Sequence, residues 1–172
     1  MAVIWVSSDP HYGHTNIIQY CNRPFTDAFH MNEVMIERHN ALVQPSDHWY
    51  CLGDVAVSQQ TLNYVMPRLN GHKRLVLGNH DNHAPMANYV QYFKKIMLWR
   101  KFDELILTHV PLMQQSFPGK AKVNVHGHIH DNDSPPGPYI NVCVEKTNYA
   151  PVNLDDLIAR GKRLVATVHY DR

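Results

Sequence analysis

Five short segments of the chain carry the residue types that bind divalent metal ions. In chain order they are Asp9-Pro10-His11, Gly53-Asp54, Gly78-Asn79-His80-Asp81, Thr108-His109 and Gly127-His128-Ile129-His130. Carboxylate and amide oxygens and imidazole nitrogens all bind such ions, and histidine is also the usual acid or base near neutral pH. One such segment alone is an ordinary loop sequence. Five of them in one chain, nearly all directly after an apolar run, predict a site that could hold two metal ions side by side.

Apolar runs ahead of these segments indicate the elements that position them. Residues 2–6 are continuously apolar, as in a strand that is buried on both faces. The segments predicted as strands are 2–6, 49–52, 74–77, 93–102, 104–108, 122–125, 139–144 and 163–170. The segments predicted as helices are 15–20, 31–42, 59–69 and 154–159, the last capped by Asn153 and ended by Gly161. Alternating strands and helices in the first half predict a parallel sheet covered by helices, and such sheets bind ligands at the carboxyl ends of their strands.

Length, charge and composition favour a globular enzyme-sized domain with a histidine-rich site. The 172 residues can bury a real core and are expected to form a single domain over 1–172. A formal charge of +1 gives no reason to expect a large non-specific grip on nucleic acid. The chain has 13 His against 8 Gly and 5 Phe, an excess that points to a site.

Cysteine usage and hydropathy point to a cytoplasmic location. Cys21, Cys51 and Cys143 are an odd number without close spacing, which favours reduced thiols over a disulfide framework or a zinc knuckle. Residues 1–6 lack the basic start and the length of a signal peptide. No apolar stretch reaches the length of a membrane span. We therefore expect a soluble cytoplasmic protein.

The motif set resembles that of the calcineurin-like metallophosphoesterase family, whose pattern is DxH, GD, GNH(D), H and GHxH. Residues 8–14 also resemble the extended DxHxGH form of the first motif, and residues 141–145 and 148–152 resemble the ending of small stand-alone members from bacteria and phages. The resemblance covers most of the chain. It implies an α/β fold of the calcineurin-like type, a sandwich of two mixed β-sheets flanked by α-helices.

The resemblance also implies a role for each motif residue. The ligands of the first metal ion would be Asp9, His11, Asp54 and His130. The ligands of the second ion would be Asp54, Asn79, His109 and His128. Asp54 would bridge the pair. His80 would not be a ligand but would lie beside the scissile phosphate and assist the leaving oxygen. Asn79 and His80 are also expected to contact the substrate.

Two adjacent divalent ions suit the hydrolysis of a phosphate ester. They make water acidic enough to attack at neutral pH, and at a separation of about 3.5–4 Å both can hold the phosphoryl group. We therefore expect a binuclear phosphoesterase that cleaves a phosphomonoester or phosphodiester, of a small nucleotide-like substrate, through a metal-bridging hydroxide. His80 would act as the general acid. Asp54 is also expected to be catalytic, because it would bridge the two ions. Nitrogen and oxygen ligands without thiolate suit Mn first, and also Fe, Zn, Co or Ni.

Two other functions are considered: a nuclease acting on DNA or RNA, and a metal-loaded binding protein without turnover. The complete ligand set argues against loss of turnover. About forty residues follow His130, and most are needed to finish the sheet, so little remains for a part that handles nucleic-acid strands. The expected partner is a small phosphate ester such as a nucleotide, not a membrane and not a stably bound nucleic acid. The sequence leaves the native metal and the oligomeric state open.

Four further residues lie near the motifs. Three of them have two interpretations each, and the fourth is expected to be structural. His14 either contacts the phosphate or its surroundings, or begins a helix and faces water. Arg23 either binds a phosphate, for which its planar fork is suited, or forms a surface salt bridge. Asp81 either orients His80 or its loop, or stabilises a turn. His126 is expected to be structural. The histidines expected on the surface or in turns are His30, His39, His48, His72, His83 and His169.

Overall fold

Short apolar runs of the sequence become the strands of two β-sheets in the computed structural model, which describes residues 2–81 and 85–167. The strands are β1 (Ile4–Ser7), β2 (His48–Cys51), β3 (His72–Val76), β4 (Lys95–Met97), β5 (Trp99–Phe102), β6 (Leu105–Thr108), β7 (Val123–His126), β8 (Tyr139–Asn141) and β9 (Val152–Asn153). The α-helices are α1 (Thr15–Tyr20), α2 (Ala28–Leu42), α3 (Gln59–Val65), α4 (Met86–Val90) and α5 (Leu154–Thr167). Turns of 3-10 helix occupy Met66–Arg68, Gln114–Ser116 and Val144–Thr147.

The first sheet has five strands in the order β4-β3-β2-β1-β9. Strands β1 to β4 are parallel to one another, as the alternation of strands and helices predicts. The two-residue strand β9 is antiparallel to β1 and was not predicted. Because β1, β2 and β3 run the same way side by side, their carboxyl ends and the loops that follow lie along one edge.

The second sheet has four strands in the order β5-β6-β7-β8. Strands β5 and β6 form an antiparallel hairpin, whereas β6, β7 and β8 are parallel. The protein is therefore α/β, with two mixed sheets flanked by helices, as expected from the sequence. The predicted strand 93–102 is two strands instead, since β4 ends in the first sheet and β5 begins the second.

Two apolar cores lie on opposite faces of the first sheet. Trp49 and Cys51 belong to the core that helices α1 to α4 cover, whereas Tyr50 and Leu52 belong to the core between the two sheets. Successive side chains of a strand point to opposite faces. Both faces are buried here, which explains why the predicted strands are apolar throughout instead of alternating.

Helix α5 closes the core between the sheets and differs from its prediction. Asn153 caps it as predicted, with its side-chain oxygen 2.8 Å from the Asp155 backbone nitrogen. Gly161 does not end it, because α5 continues to Thr167, and the predicted strand is wrong for 163–167. A Cβ at position 161 would lie 2.8 Å from Leu105 Cδ2, so this glycine lets the helix pack closely on β6. Residues 168–170 of the predicted strand lie outside the described residues.

One of the histidines predicted for the surface or turns is buried. His39 is 2% exposed, its ring packs edge-on against Trp49 with centroids 4.8 Å apart, and its Nε2 lies 3.0 Å from the Asn70 carbonyl oxygen. His30 is exposed, while His48 and His72 are half-buried beside each other; His83 and His169 lie outside the described residues. Within 2–81 and 85–167, none of the helices combines the length and the apolar character that crossing a membrane requires.

Candidate metal centre

All five motif segments follow strand ends, and their predicted ligands converge where the two sheets meet. Three segments follow the parallel strands β1, β2 and β3, and the other two follow the parallel strands β6 and β7. Among the predicted ligands, two groups of side chains come within metal-binding range of one another. We call them the Asp9 cluster (Asp9, His11, His130) and the Asp54 cluster (Asp54, His109, His128), and within each the ligand atoms lie within 4.8 Å.

The Asp9 cluster contains buried polar atoms that have no hydrogen-bond partner. His11 Nε2 lies 3.8 Å from Asp9 Oδ1, and both atoms are buried without a hydrogen bond. A buried polar atom without a partner is costly and rare. A carboxylate oxygen and an imidazole nitrogen that face each other in this way are a fitting place for a cation.

The Asp54 cluster is arranged around one ring nitrogen of His109. His109 Nδ1 lies 2.8 Å from the Leu52 carbonyl oxygen, which can only accept, so in the neutral ring the proton is on Nδ1 and Nε2 is an acceptor. That Nε2 lies 2.7 Å from Asn79 Oδ1 and 3.2 Å from His128 Nδ1. Two acceptor atoms, His109 Nε2 and Asn79 Oδ1, therefore face each other here, as ligand atoms of a metal ion do.

Asp54 stands between the two clusters. Its Oδ2 lies 3.5 Å from His11 Nε2 and 3.5 Å from His109 Nε2. Its other oxygen, Oδ1, accepts a hydrogen bond of 2.8 Å from the backbone N–H of His80. The Asp and His side chains of both clusters could therefore hold metal ions, with one carboxylate shared.

The backbone at the predicted ligands is strained. Nine non-glycine residues have positive φ in the described part of the chain, and five of them are predicted ligands. Those five, with their φ angles, are Asp9 (57°), His11 (50°), Asp54 (54°), His128 (71°) and His130 (51°). Such conformations cost about 1–3 kcal/mol each and gather at functional sites. These φ angles have no counterpart among the sequence patterns of the five motifs.

Burial sets the protonation states in the Asp9 cluster. Burial, reinforced by the neighbouring His130 and Arg23, lowers the pKa of His11 to about 2, so its ring is neutral and able to coordinate a metal. Burial raises the pKa of Asp9, although His109 and the Ser8 hydroxyl oppose the shift. A cation beside Asp9 would favour its charged form.

Asp81 fixes the loop that carries Asp54. Its carboxylate accepts from the backbone N–H groups of Asp54 (3.0 Å), Val55 (2.9 Å) and Gly78 (2.8 Å). It is 2% exposed, and burial raises its pKa against the opposing effect of these hydrogen bonds. Asp81 therefore orients its loop, as one of the two interpretations from the sequence expects, and it does so by holding the backbones of two motif loops together.

An open cavity lies beside the clusters and contains His80 and His14. The cavity has a volume of about 330 Å³ and is lined by His11, His14, Asp54, Ala56, Val57 and His80. His80 is exposed and His14 is half-buried, with its ring centroid 5.6 Å from that of His11. Asn79 is exposed at the same edge. Both predicted substrate-contacting histidines thus face a space that a small molecule could enter.

Arg23 occupies a different place from either prediction. Its side chain has no exposed surface, and its Nη2 lies 2.6 Å from Glu145 Oε1. Its Nη1 donates to the Pro10 carbonyl oxygen (2.8 Å) and its Nη2 to that of Asp9 (2.9 Å). A phosphate in the cavity cannot reach a guanidinium enclosed in this way, and the ion pair is not on the surface. Arg23 therefore does form a salt bridge, but a buried one instead of a surface one, and its enclosure argues against a direct contact with a phosphate.

Glu145 is a site residue that sequence reasoning missed. Its Oε1 lies 3.0 Å from His130 Nδ1 and also accepts from Arg23. It belongs to residues 141–145, which carried part of the family resemblance but were given no role. His126, by contrast, is structural as predicted: it is fully buried and its Nδ1 and Nε2 lie 2.9 Å from the Gly127 carbonyl and the Ser134 hydroxyl.

Relatives of this chain occur in archaea and phages. An uncharacterized protein of Methanocaldococcus jannaschii is 33% identical over an alignment that covers 98% of this chain and 98% of that protein. The gene 66 protein of Mycobacterium phage L5 is 23% identical over 76% of this chain and 78% of its own length. No protein-family model matches the sequence.

Two solved structures share the fold. A protein of unknown function from Aquifex aeolicus superposes with a TM-score of 0.76 at 23% identity, over 93% of this chain and 100% of that one. A Pseudomonas putida nuclease superposes with a TM-score of 0.53 at 18% identity, over 74% of this chain and 61% of that one. At these identities the likeness establishes the arrangement of sheets and helices.

Proposed function

The chain belongs to the same family as the uncharacterized Methanocaldococcus jannaschii protein, and from that starting point we propose that it is a metal-dependent phosphoesterase of the calcineurin-like type. It hydrolyses a phosphomonoester or phosphodiester of a small, nucleotide-like substrate at a pair of divalent metal ions. The proposal treats residues 1–172 as one catalytic domain.

The observation that carries the proposal is the position of the Asp54 carboxylate. One of its oxygens lies at the same distance, 3.5 Å, from His11 Nε2 in the Asp9 cluster and from His109 Nε2 in the Asp54 cluster. A carboxylate oxygen that faces an imidazole nitrogen of each cluster is the arrangement expected of a ligand shared by two ions. A lone metal site would not need a second group of donors on the far side of that carboxylate.

We assign the ligands of each ion from the Asp9 cluster and the Asp54 cluster, with Asn79 added beside His109. The ligands of the first ion are Asp9, His11, Asp54 and His130. The ligands of the second ion are Asp54, Asn79, His109 and His128. Such nitrogen and oxygen donors without thiolate favour manganese, and also suit Fe, Zn, Co or Ni. When bound, divalent ions polarise the phosphoryl group and make water acidic enough to attack it at neutral pH.

The remaining residues of the cavity bind the substrate and move its proton. His80 is exposed at the mouth, and its backbone is held by Asp54 Oδ1, so its ring is suited to protonate the departing oxygen. His14 lines the same cavity and is assigned a contact to the substrate phosphate. A volume of about 330 Å³ lies within the range of small-ligand pockets, and Ala56 and Val57 give it an apolar wall.

Hydrolysis of generic aryl phosphates tests the proposal. The protein is stripped of metal with a chelator, reloaded with Mn²⁺ and assayed on p-nitrophenyl phosphate and bis-p-nitrophenyl phosphate. We expect the loaded protein to hydrolyse at least one of them. Loss of a residue that only supports a metal ligand typically lowers activity by about 10–100-fold. Asp54→Asn changes a proposed ligand itself, so it should lower kcat/KM by more than this.

The control for this assay is His30→Ala, since His30 is an exposed histidine on α2 outside both clusters. It should leave kcat/KM unchanged. A loaded protein that is inert on both esters would contradict a small-molecule phosphoesterase, as would full activity of Asp54→Asn.

A second candidate function is a nuclease, favoured by the likeness to the Pseudomonas putida nuclease. The same two clusters would then act on a phosphodiester of DNA or RNA. Digestion of labelled single-stranded and duplex DNA and RNA by the Mn²⁺-loaded protein separates the two candidates. Cleavage of a strand without turnover of nucleotides or aryl esters would favour the nuclease, and binding of metal without any turnover would favour a non-catalytic binding protein.

A further inference from the structure

We propose that Glu145 and Arg23 are a buried positioning pair that orients His130 for metal binding and ties it to the loop carrying Asp9 and His11. The inference rests on the proposed function, because it takes His130 to be a metal ligand. It names two residues that act through a ligand and not as ligands themselves.

Glu145 contacts the proposed ligand His130 directly. Glu145 Oε1 lies 3.0 Å from His130 Nδ1. A carboxylate accepts, so in the neutral ring this contact places the proton on Nδ1 and leaves Nε2 free to coordinate a metal. Histidine ligands in metal sites commonly donate their other N–H to a carboxylate in this manner, which fixes the tautomer and the ring orientation.

Arg23 in turn holds Glu145 in place. Arg23 donates to the same oxygen, Oε1, from Nε (2.9 Å) and from Nη2 (2.6 Å). The Arg23 side chain has no exposed surface and that of Glu145 is 4% exposed. A charge pair this deeply buried is held in one geometry, since neither partner can move to solvent without leaving the other unpaired.

Arg23 also joins this pair to the opposite side of the site. The same guanidinium donates to the backbone carbonyl oxygens of Asp9 (2.9 Å) and Pro10 (2.8 Å). Asp9 and the neighbouring His11 are the other members of the Asp9 cluster. One buried arginine therefore fixes the β1 loop and, through Glu145, the distant His130, and so sets the distance between ligands from the two sheets.

A separate metal site formed by Cys21, His130 and Glu145 is the alternative, because their ligand atoms also come within 4.8 Å of one another. The charge balance argues against it. Arg23 already places a positive charge 2.6 Å from the Glu145 carboxylate, and a cation on the same carboxylate would be repelled. Cys21→Ala distinguishes the two, since only the alternative needs the thiol.

The test is calorimetric titration of the metal-free protein with Mn²⁺, read as the number and affinity of sites. The wild type should bind two ions. Glu145→Ala should weaken one of the two sites by about 10–100-fold and leave the other unchanged, because only the Asp9 cluster contains His130. Glu145→Gln, which keeps an acceptor for His130, should have a smaller effect.

The matched control is Glu33→Ala. Glu33 forms a similar pair with Arg68, with oxygen–nitrogen distances of 2.6 and 2.8 Å, but the pair lies on the surface. Its removal should change neither Mn²⁺ site. Cys21→Ala should also leave both sites at wild-type affinity.

Loss of the buried charge pair could act through folding alone, and the double variant Arg23→Met, Glu145→Gln separates the two effects. It removes both charges, so its fold should be more stable in urea than that of Glu145→Gln, while the weakened Mn²⁺ site should stay weak. Recovery of wild-type Mn²⁺ affinity together with the fold would overturn the positioning role.

Two further outcomes also overturn the inference, and they differ from failure of the proposed function. Two wild-type sites in Glu145→Ala would refute the role of Glu145 while leaving the two-metal centre intact. A loss in Cys21→Ala equal to that in Glu145→Ala would replace it with the Cys21 site. A wild type that binds no Mn²⁺ would instead refute the proposed function itself.

Discussion

At the scale of single residues, the predicted ligands hold backbone conformations that L-amino acids avoid. Asp9, Asp54 and His128 have φ of 57°, 54° and 71°. Each such residue costs about 1–3 kcal/mol and persists only where its surroundings impose it. The strain has a use in the proposed centre, because in three of the five motif loops it turns side chains toward shared points instead of letting them alternate along extended chain.

Relief of this strain should separate stability from activity. His128 is exposed, so His128→Gly loses little packing, and removing about 1–2 kcal/mol of left-handed strain should outweigh the about 0.5–1 kcal/mol that glycine costs in entropy. The metal-free variant should be at least as stable as the wild type in urea and inactive on aryl phosphates. Asp103→Gly, at φ 50° in the β5–β6 turn, is the control that should gain stability and keep activity. A large loss of stability in His128→Gly would argue against strain at this residue.

His80 should affect turnover and not metal binding. His80→Ala removes the proposed general acid, whose contribution is typically about 10²–10⁴-fold, so kcat should fall far more for phenyl phosphate than for p-nitrophenyl phosphate, whose leaving group needs little protonation. Steady-state kinetics on both esters and Mn²⁺ titration check this. An equal loss on both esters, or loss of a bound ion, would contradict the role.

At the scale of elements, the loops after the strands are fixed to one another rather than standing alone. Asp81, at the end of one motif, holds the backbone of Asp54 and Val55 in another, and Asp54 Oδ1 in return accepts from His80. Reciprocal contacts of this kind give two loops one geometry. Preorganisation of the ligands should therefore depend on residues that never touch the substrate.

Asp81→Asn tests this coupling. The amide can accept on one side only, so at least one buried backbone N–H is left facing an NH₂ group, at a cost of about 1–3 kcal/mol. We expect the free energy of unfolding to fall by that amount and kcat/KM to fall with it. The exposed Asp103→Asn serves as the control and should change neither quantity in urea unfolding and ester hydrolysis. Wild-type stability in Asp81→Asn would show that the three hydrogen bonds do not fix the loop.

Element prediction succeeded where a pattern was local and failed where it depended on distant packing. Strands β1, β2 and β3 could be predicted because their apolar runs are followed by Ser7, Gly53 and Gly78, and the predicted ligands follow closely after these positions. The exchange of sheets at Leu98 carries no turn residue, and the continuation of α5 past Gly161 depends on contact with Leu105. Glu145 and Arg23 lie 122 positions apart, and only the fold brings them together.

At the scale of the whole molecule, the candidate metal centre is assembled where two sheets bring their strand ends to one place. The first sheet contributes Asp9, His11 and Asp54, and the second contributes His109, His128 and His130. The core between the sheets keeps these halves in register. The stability of the fold and the integrity of the centre are therefore linked.

His39 should make the stability of the fold depend on pH. Burial lowers its pKa to about 4, so between pH 6.5 and pH 4 the unfolded chain binds a proton that the folded chain does not. The stability that the neutral ring contributes is complete above pH 6.5 and is lost as pH falls toward 4, by roughly 3 kcal/mol for this shift. His39→Gln keeps a donor for the Asn70 carbonyl but does not titrate.

Urea unfolding of both proteins at pH 7 and pH 4 measures this contribution. The other titrating groups are the same in both proteins, so the difference between them reports His39 alone. The wild type should therefore lose more stability than His39→Gln over that interval. Parallel losses in the two proteins would mean that His39 does not titrate between those values.

The proposed function depends on two ions that share the Asp54 carboxylate, and anomalous diffraction from crystals of the Mn²⁺-loaded protein locates such ions. We expect two manganese peaks about 3.5–4 Å apart, one beside Asp9, His11 and His130 and the other beside Asn79, His109 and His128, with Asp54 between them. A single peak, or peaks that lie away from Asp54, would contradict it.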